Sequence, residues 1–196
     1  MIKIPKTTRK SSGAKNPKES KPGNIASVCM TILYAILPVM TKKIAILLHN
    51  IRSTHNVGSI FRTSDALGVT KVFLSGYTPL PLDKYRRARK DIAKVALGAE
   101  KTIPWEQVSS PINLIKKLKK EKYQIVAIEQ SEKSIDYKKV KIKYPALFMI
   151  GNEVEGISPD LLSLCDVVSE IPMRGHKESL NVSVAFGVAL FRMLGI

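Results

Sequence analysis

The chain has 196 residues, 44% of them hydrophobic, which suits one domain with a real core plus an extension. Lysine and arginine number 32 against 16 acids, a formal net charge of +16; polyanions will be attracted, with nucleic acid the leading candidate. Two cysteines, Cys29 and Cys165, exclude a disulfide framework and have no metal-ligand spacing, so a reducing, cytoplasmic setting is expected.

Residues 1–24 are rich in Lys, Pro, Ser and Gly and read as a disordered basic tail. Residues 25–40 are uncharged and mostly apolar, short for a membrane helix, which needs about 20 apolar residues. A basic leader before an apolar run resembles a signal peptide, but no small-residue cleavage site follows. A natural start at Met40, or a loosely held extension, is preferred over a membrane anchor. The expected organisation is an N-terminal extension over 1–42 and one domain over 43–196.

From Lys43 strands and helices alternate. Apolar runs predict strands over 44–48, 71–75, 124–128, 146–150 and 167–171. Helical spacing predicts helices over 56–67, 89–97 and 113–120. Ser158–Pro159–Asp160 reads as a further helix start. A last helix, apolar on nearly every side, is predicted from Ser179 to Leu194 and must be buried in a core or against a partner. The alternation implies an α/β domain: a parallel sheet with helices on both faces, and ligands beyond the carboxyl ends of the strands.

Three stretches stand at those ends. Asn50–Arg62 opens a helix, where Asn56 is expected as a cap and Arg62 lies off the apolar face. Gly151–Gly156 puts acidic residues between two glycines directly after a strand. Ile171–Ala185 joins a strand to the terminal helix, with Ser179, Asn181 and Ser183 together where one cap would suffice. A basic cluster, Lys84–Lys90, precedes the second helix. Cations there oppose the helix dipole, so phosphate contact is the better account of Arg86, Arg87, Arg89 and Lys90, with Arg52 a further candidate for nucleic-acid contact. His49, His55 and His176 have no ligand spacing, and no metal is expected.

The combination of N-x-G-x-I-x-R-T at Asn56–Thr63, G-N-E-x-x-G at Gly151–Gly156 and I-P-M-x-G-x-x-x-S-L-N-V-S-V-A at Ile171–Ala185 resembles the SpoU (TrmH-like) family of RNA ribose 2′-O-methyltransferases. The resemblance runs from about Lys43 to the C-terminus. It implies a C-terminal deep trefoil knot, a rare exception to unknotted topology, S-adenosylmethionine as methyl donor, a homodimer, and transfer or ribosomal RNA as substrate. It implies donor contacts at Gly151, Ile171 and Leu180, with Glu129 nearby. A side chain at Gly151 is expected to fill space left for that ligand. It implies catalytic positions at Asn56, Arg62, Glu153, Ser179 and Asn181. The arginine is either a base activated by an RNA phosphate or a bidentate phosphate clamp, since a guanidinium is normally charged throughout the accessible pH range. Glu153 is expected to hold Arg62 or the loop. The competing classes are a non-catalytic RNA-binding protein of the same fold and a Rossmann-type nucleotide enzyme; the second is disfavoured because no G-x-G-x-x-G follows a strand.

Overall fold

The computed structural model describes residues 42–196, which form one compact unit. The tail, the apolar run and the alternative start at Met40 lie outside the described residues. Seven strands occur in chain order: β1 (Ile44–His49), β2 (Lys71–Ser75), β3 (Trp105–Val108), β4 (Gln124–Ile128), β5 (Ile135–Asp136), β6 (Ala146–Ile150) and β7 (Val167–Glu170). The helices are α1 (Thr54–Ala66), α2 (Lys90–Ala96), α3 (Ala99–Thr102), α4 (Pro111–Lys120), α5 (Pro159–Leu162) and α6 (Val182–Leu194). One sheet contains every strand in the order β3-β2-β1-β6-β4-β7-β5, and every pairing is parallel. The carboxyl ends of all strands therefore meet one edge.

Central strands β1 and β6 carry almost no polar side chain because both of their faces are covered. Ile46, Leu48, Leu74, Phe148 and Ile150 face α1, α2 and α6. Leu47, Phe73, Leu147 and Met149 face α4 and α5. Each such side chain contributes about 1.5–3 kcal/mol on burial. α1 and α2 approach unusually closely at Gly58, where a Cβ would stand 2.8 Å from the Ile92 carbonyl oxygen and 2.9 Å from Val95 Cβ. The glycine of the first motif thus has a packing reason. It brings α2, and the loop before it, against the N-terminal half of α1.

Several element boundaries differ from the sequence expectation. α1 begins at Thr54, because the Ser53 hydroxyl accepts from Asn56 N (3.3 Å) and takes the capping role assigned to Asn56. Such a cap contributes about 1 kcal/mol. α6 begins at Val182 rather than Ser179: Asn181 is its cap, and its side-chain oxygen accepts from Ser183 N (2.9 Å). Ser179 lies in the preceding loop. β7 ends at Glu170, so Ile171 is the first loop residue. α4 starts at Pro111 behind the Ser110 cap, and α2 covers 90–96. β3, β5 and α3 were not expected.

Candidate functional site

A cleft of about 360 Å³ opens at the carboxyl edge, between the ends of β4, β6 and β7 and the start of α6. Of the residues singled out in the sequence, Glu129, Gly151, Glu153, Ile171, Ser179 and Leu180 line the cleft, and Asn56, Arg62 and Asn181 do not. Ile128, Ile150, Val182 and Ala185 complete an apolar wall.

The loop after β6 is built by internal bonds. Asn152 and Gly156 exchange backbone hydrogen bonds, Gly156 N to Asn152 O at 3.0 Å and Asn152 N to Gly156 O at 3.2 Å. The buried Asn152 side chain closes the turn, its oxygen accepting from Val154 N and Glu155 N at 2.7 Å each. Its amide nitrogen donates to Asn50 O (3.1 Å) and to the Tyr77 hydroxyl, tying the loop to the ends of β1 and β2. Gly156 has φ +67°, and Gly151 is pressed against the loop's own return, where a Cβ would fall 2.5 Å from Gly156 O and 2.6 Å from Ile157 Cγ1. The reason for glycine at 151 is therefore first the loop itself rather than room for a ligand. Glu129 braces the same loop: its carboxylate accepts from Ile157 N (3.0 Å) and Gln130 N (2.9 Å).

A chain of polar contacts joins the three motifs. Asn181 Nδ2 donates to Asn56 Oδ1 (3.1 Å), and Asn56 Nδ2 donates to Glu153 Oε1 (3.0 Å). Glu153 Oε2 accepts from Arg52 N (3.3 Å). Partial burial pushes the Glu153 pKa up, but the Asn56 amide and the nearby backbone N–H groups, those of Arg52 and Ser53 among them, outweigh it and hold the carboxyl below its ordinary range. Glu153 thus holds the loop that opens α1; it makes no ion pair with Arg62. Arg62 is exposed and has no ion-pair partner among the described residues.

The basic cluster divides. Arg87 pairs with Asp83 (2.8 Å) and Arg89 with Asp91 (2.9 Å), so local pairing accounts for two cations that the sequence reading assigned to phosphate. The Arg89 hydrogen bonds hold Asp91 down to about 2 against the opposing effect of burial. Arg86, Lys90 and Arg52 stay exposed without an ion pair among the described residues. None of these residues lines the cleft.

His49 closes β1, its Nδ1 2.8 Å from Ser75 Oγ, while Asn50 Nδ2 donates to Nε2 (3.2 Å). Burial lowers its pKa and favours neutral imidazole. The sequence reading passed over Asn50, Tyr77 and Asn152. The signal for Asn152 was its place between a strand and an acidic residue in a glycine-bounded turn. The signal for Asn50 was asparagine at a strand end, a residue tolerant of the positive φ (58°) it adopts.

Among the described residues no group of three or more His, Cys, Asp or Glu side chains could hold a metal, and no helix is long and apolar enough to cross a membrane. The cleft is instead notable for charge. Glu129, Glu153, Glu170 and Glu178 line it and no Lys or Arg does, in a chain of net charge +16. That lining disfavours a phosphate-bearing ligand and suits a cationic one with an apolar body.

Sequence comparison matches residues 43–191 to a profile described as the SpoU rRNA Methylase family. A tRNA (guanosine(18)-2′-O)-methyltransferase of Aquifex aeolicus is 31% identical over 163 residues, covering 81% of this chain and 72% of that protein. A 23S rRNA (guanosine-2′-O-)-methyltransferase, RlmB, of Neisseria meningitidis serogroup B is 33% identical over 74% of this chain, but only 55% of its own length is matched. Among solved structures, the SpoU methyltransferase AviRb of Streptomyces viridochromogenes in complex with AdoMet superposes with a TM-score of 0.70 at 25% identity, covering 81% of this chain and 62% of that one.

Proposed function

Because the chain belongs to the SpoU methylase family, we propose that it transfers a methyl group from S-adenosylmethionine to a ribose 2′-hydroxyl of transfer or ribosomal RNA. The observation that carries this reading is the acidic, partly apolar cleft at the carboxyl edge of a parallel sheet in a strongly basic protein. The cleft's charge fits a sulfonium amino acid, and the protein's charge fits RNA. Gly151, Ile171 and Leu180 would hold the donor's adenosine largely through backbone groups, with Ile128 and Ile150 supplying apolar contact and Glu129 bracing the loop. S-adenosylmethionine supplies, when bound, an electrophilic methyl group for in-line displacement.

The remaining work is positioning, and it falls to this chain's side chains. The Asn181–Asn56–Glu153 contacts lock three loops in one geometry, so that neutral amides and the Ser179 hydroxyl can orient the ribose. Glu153 is a weak base because its hydrogen bonds favour the carboxylate. Arg62, with no ion-pair partner among the described residues, acts as a bidentate clamp on the phosphate beside the target ribose. Arg52, Arg86 and Lys90 extend the phosphate contact. A cytoplasmic setting and the family's C-terminal knot complete the reading. Mapping RNA 2′-O-methylation in cells with and without the protein should reveal at least one ribose whose methylation depends on it; an unchanged map sinks the assignment.

The reading includes a homodimer. α6 buries Phe186, Ala189 and Leu190 in the core, yet Val184, Val188 and Phe191 stay 49%, 41% and 37% exposed. Their spacing places them on one stripe, which no other element among the described residues covers. A second copy of the same stripe is the partner that a self-complementary apolar face fits. Wild-type protein should sediment as a dimer at micromolar concentration. Phe191→Glu should yield a folded monomer, since Phe191 is exposed and lies outside the buried core of the described residues. A monomeric wild type, or a Phe191→Glu variant that stays dimeric, refutes the interface.

A further inference from the structure

We propose that Tyr85, framed by Lys84 and Arg87, is a stacking platform for one unpaired nucleobase of the RNA, a subsite that deepens the reading above and rests on it. Tyr85 is 65% exposed. The turn that presents it is closed by its own bonds. Asp83 organises it: one carboxylate oxygen accepts from Tyr85 N (2.8 Å) and Arg87 N (2.9 Å), and the other accepts from Arg87 Nε (2.8 Å). Asp83 N donates to Arg87 O and Arg86 N donates to Asp83 O, both at 2.9 Å. An antiparallel bridge between Leu82 and Ala88 and the bond from Arg89 N to Pro81 O (2.9 Å) shut the base of the loop. The ring is thus held outward with little ordering left to do on binding.

The ring's surroundings select the ligand. Lys84 Nζ lies 5.0 Å and Arg87 Cζ 4.9 Å from the ring centroid, within cation–π range. Arg86, at φ +61°, and Lys90 add positive charge free of ion pairs among the described residues. An exposed ring with cations over it suits a nucleobase with its backbone phosphates, because a base, which always has a π-face, can take the place of the flexible Lys84 side chain while the ammonium moves to a phosphate. A protein partner would need a wider apolar patch, and besides Tyr85 the loop itself exposes one large apolar side chain, Leu82 (37% exposed). Duplex RNA keeps its bases stacked and cannot offer one to the ring. The loop is also well placed. It leads directly into α2, whose Asp91 reaches Thr54 in the first turn of α1, the turn that carries Asn56.

Tyr85→Trp turns the platform into a fluorescent reporter, read against the wild-type signal of Trp105, the one natural tryptophan. Single-stranded oligouridylate and oligoadenylate should both quench the added emission, and a pre-annealed duplex of the same two strands should not. With a methylatable transfer RNA, Tyr85→Ala should raise KM about tenfold while leaving kcat and donor affinity unchanged, and Tyr85→Phe should retain the wild-type KM because stacking needs the ring and not the hydroxyl. Equal quenching by duplex and single strands, a wild-type KM for Tyr85→Ala, or a Tyr85→Phe variant as impaired as Tyr85→Ala would each overturn the platform. If wild-type protein methylates no RNA at all, the methyltransferase reading fails, and the quenching titration still decides the subsite.

Discussion

Arg62→Ala should lower kcat/KM for RNA methylation by about a hundredfold or more, while donor affinity and thermal stability stay at wild-type values. The separation follows from position. Arg62 is exposed on α1, makes no ion pair among the described residues and does not line the cleft. Removing it leaves no buried partner unsatisfied, so the fold has nothing to lose. Its absence costs charge-assisted bonds to phosphate only when RNA is present. Arg62→Lys should recover little, because an ammonium cannot reproduce the planar fork. A general-base role would make the same loss appear in kcat alone, whereas a clamp raises KM for RNA as well. Calorimetry with the donor and steady-state methylation of one RNA give both numbers, and a normal rate in Arg62→Ala refutes any role at this position.

Gly151→Ala should abolish measurable donor binding, although alanine is the smallest possible addition. Its Cβ would sit 2.5 Å from the Gly156 carbonyl oxygen and 2.6 Å from its carbon, and those backbone atoms cannot rotate aside. The loop must open, and with it the Asn152–Gly156 pair and the Glu129–Ile157 bond that shape one wall of the cleft. Because the loop lies at the sheet's edge, the strands should survive: circular dichroism should be unchanged and the melting temperature lowered by only a few degrees, about what 1 kcal/mol produces in a domain of this size. Titration calorimetry with S-adenosylmethionine is the check. Wild-type affinity in Gly151→Ala would show that this loop does not form the donor pocket. Leucine at 151 should do no worse than alanine, since the first carbon already causes the collision.

Most of the strands located from sequence are buried on both faces; β7, half-buried, is located as well. Val72–Leu74, Ile125–Ala127 and Ala146–Ile150 read as unbroken apolar runs because helices cover each side. β3 escaped because Trp105–Val108 is an edge strand in which Glu106 and Gln107 face solvent. β5 is two residues long and has no pattern at all. Cap assignments failed for a different reason. Ser53 and Asn56 are both good caps, as are Ser179 and Asn181, and spacing alone cannot say which side chain turns toward the helix end. Asn181 in fact does two things, accepting from Ser183 N with its oxygen and reaching Asn56 with its amide across 125 residues of sequence. The motifs pick out Asn56, Glu153 and Asn181, which the fold brings together, but not the hydrogen bonds that join them. The pairing of Arg87 with Asp83 and of Arg89 with Asp91 could have been suspected, since the partners lie four and two residues apart.

The order of the sheet also dictates when this protein can become a protein during its own synthesis. β1, β2 and β3 are neighbours and can pair as soon as they emerge. β4 cannot: both of its partners, β6 and β7, are made after it, and β6 must also dock on β1. Until residue 150 or so is available, the growing chain therefore holds a three-stranded fragment with a bare β1 edge and a separate, mostly apolar strand with nowhere to pair. Such edges invite association with other chains, and long-range parallel pairing closes slowly. The last third of the chain thus shields the first two, while delivering Gly151, Ser179 and Asn181 to the edge where Asn56 already waits. No half-built version of this molecule can bring the two halves of the site together, so methyl transfer and structural completion arrive in the same step of its biogenesis.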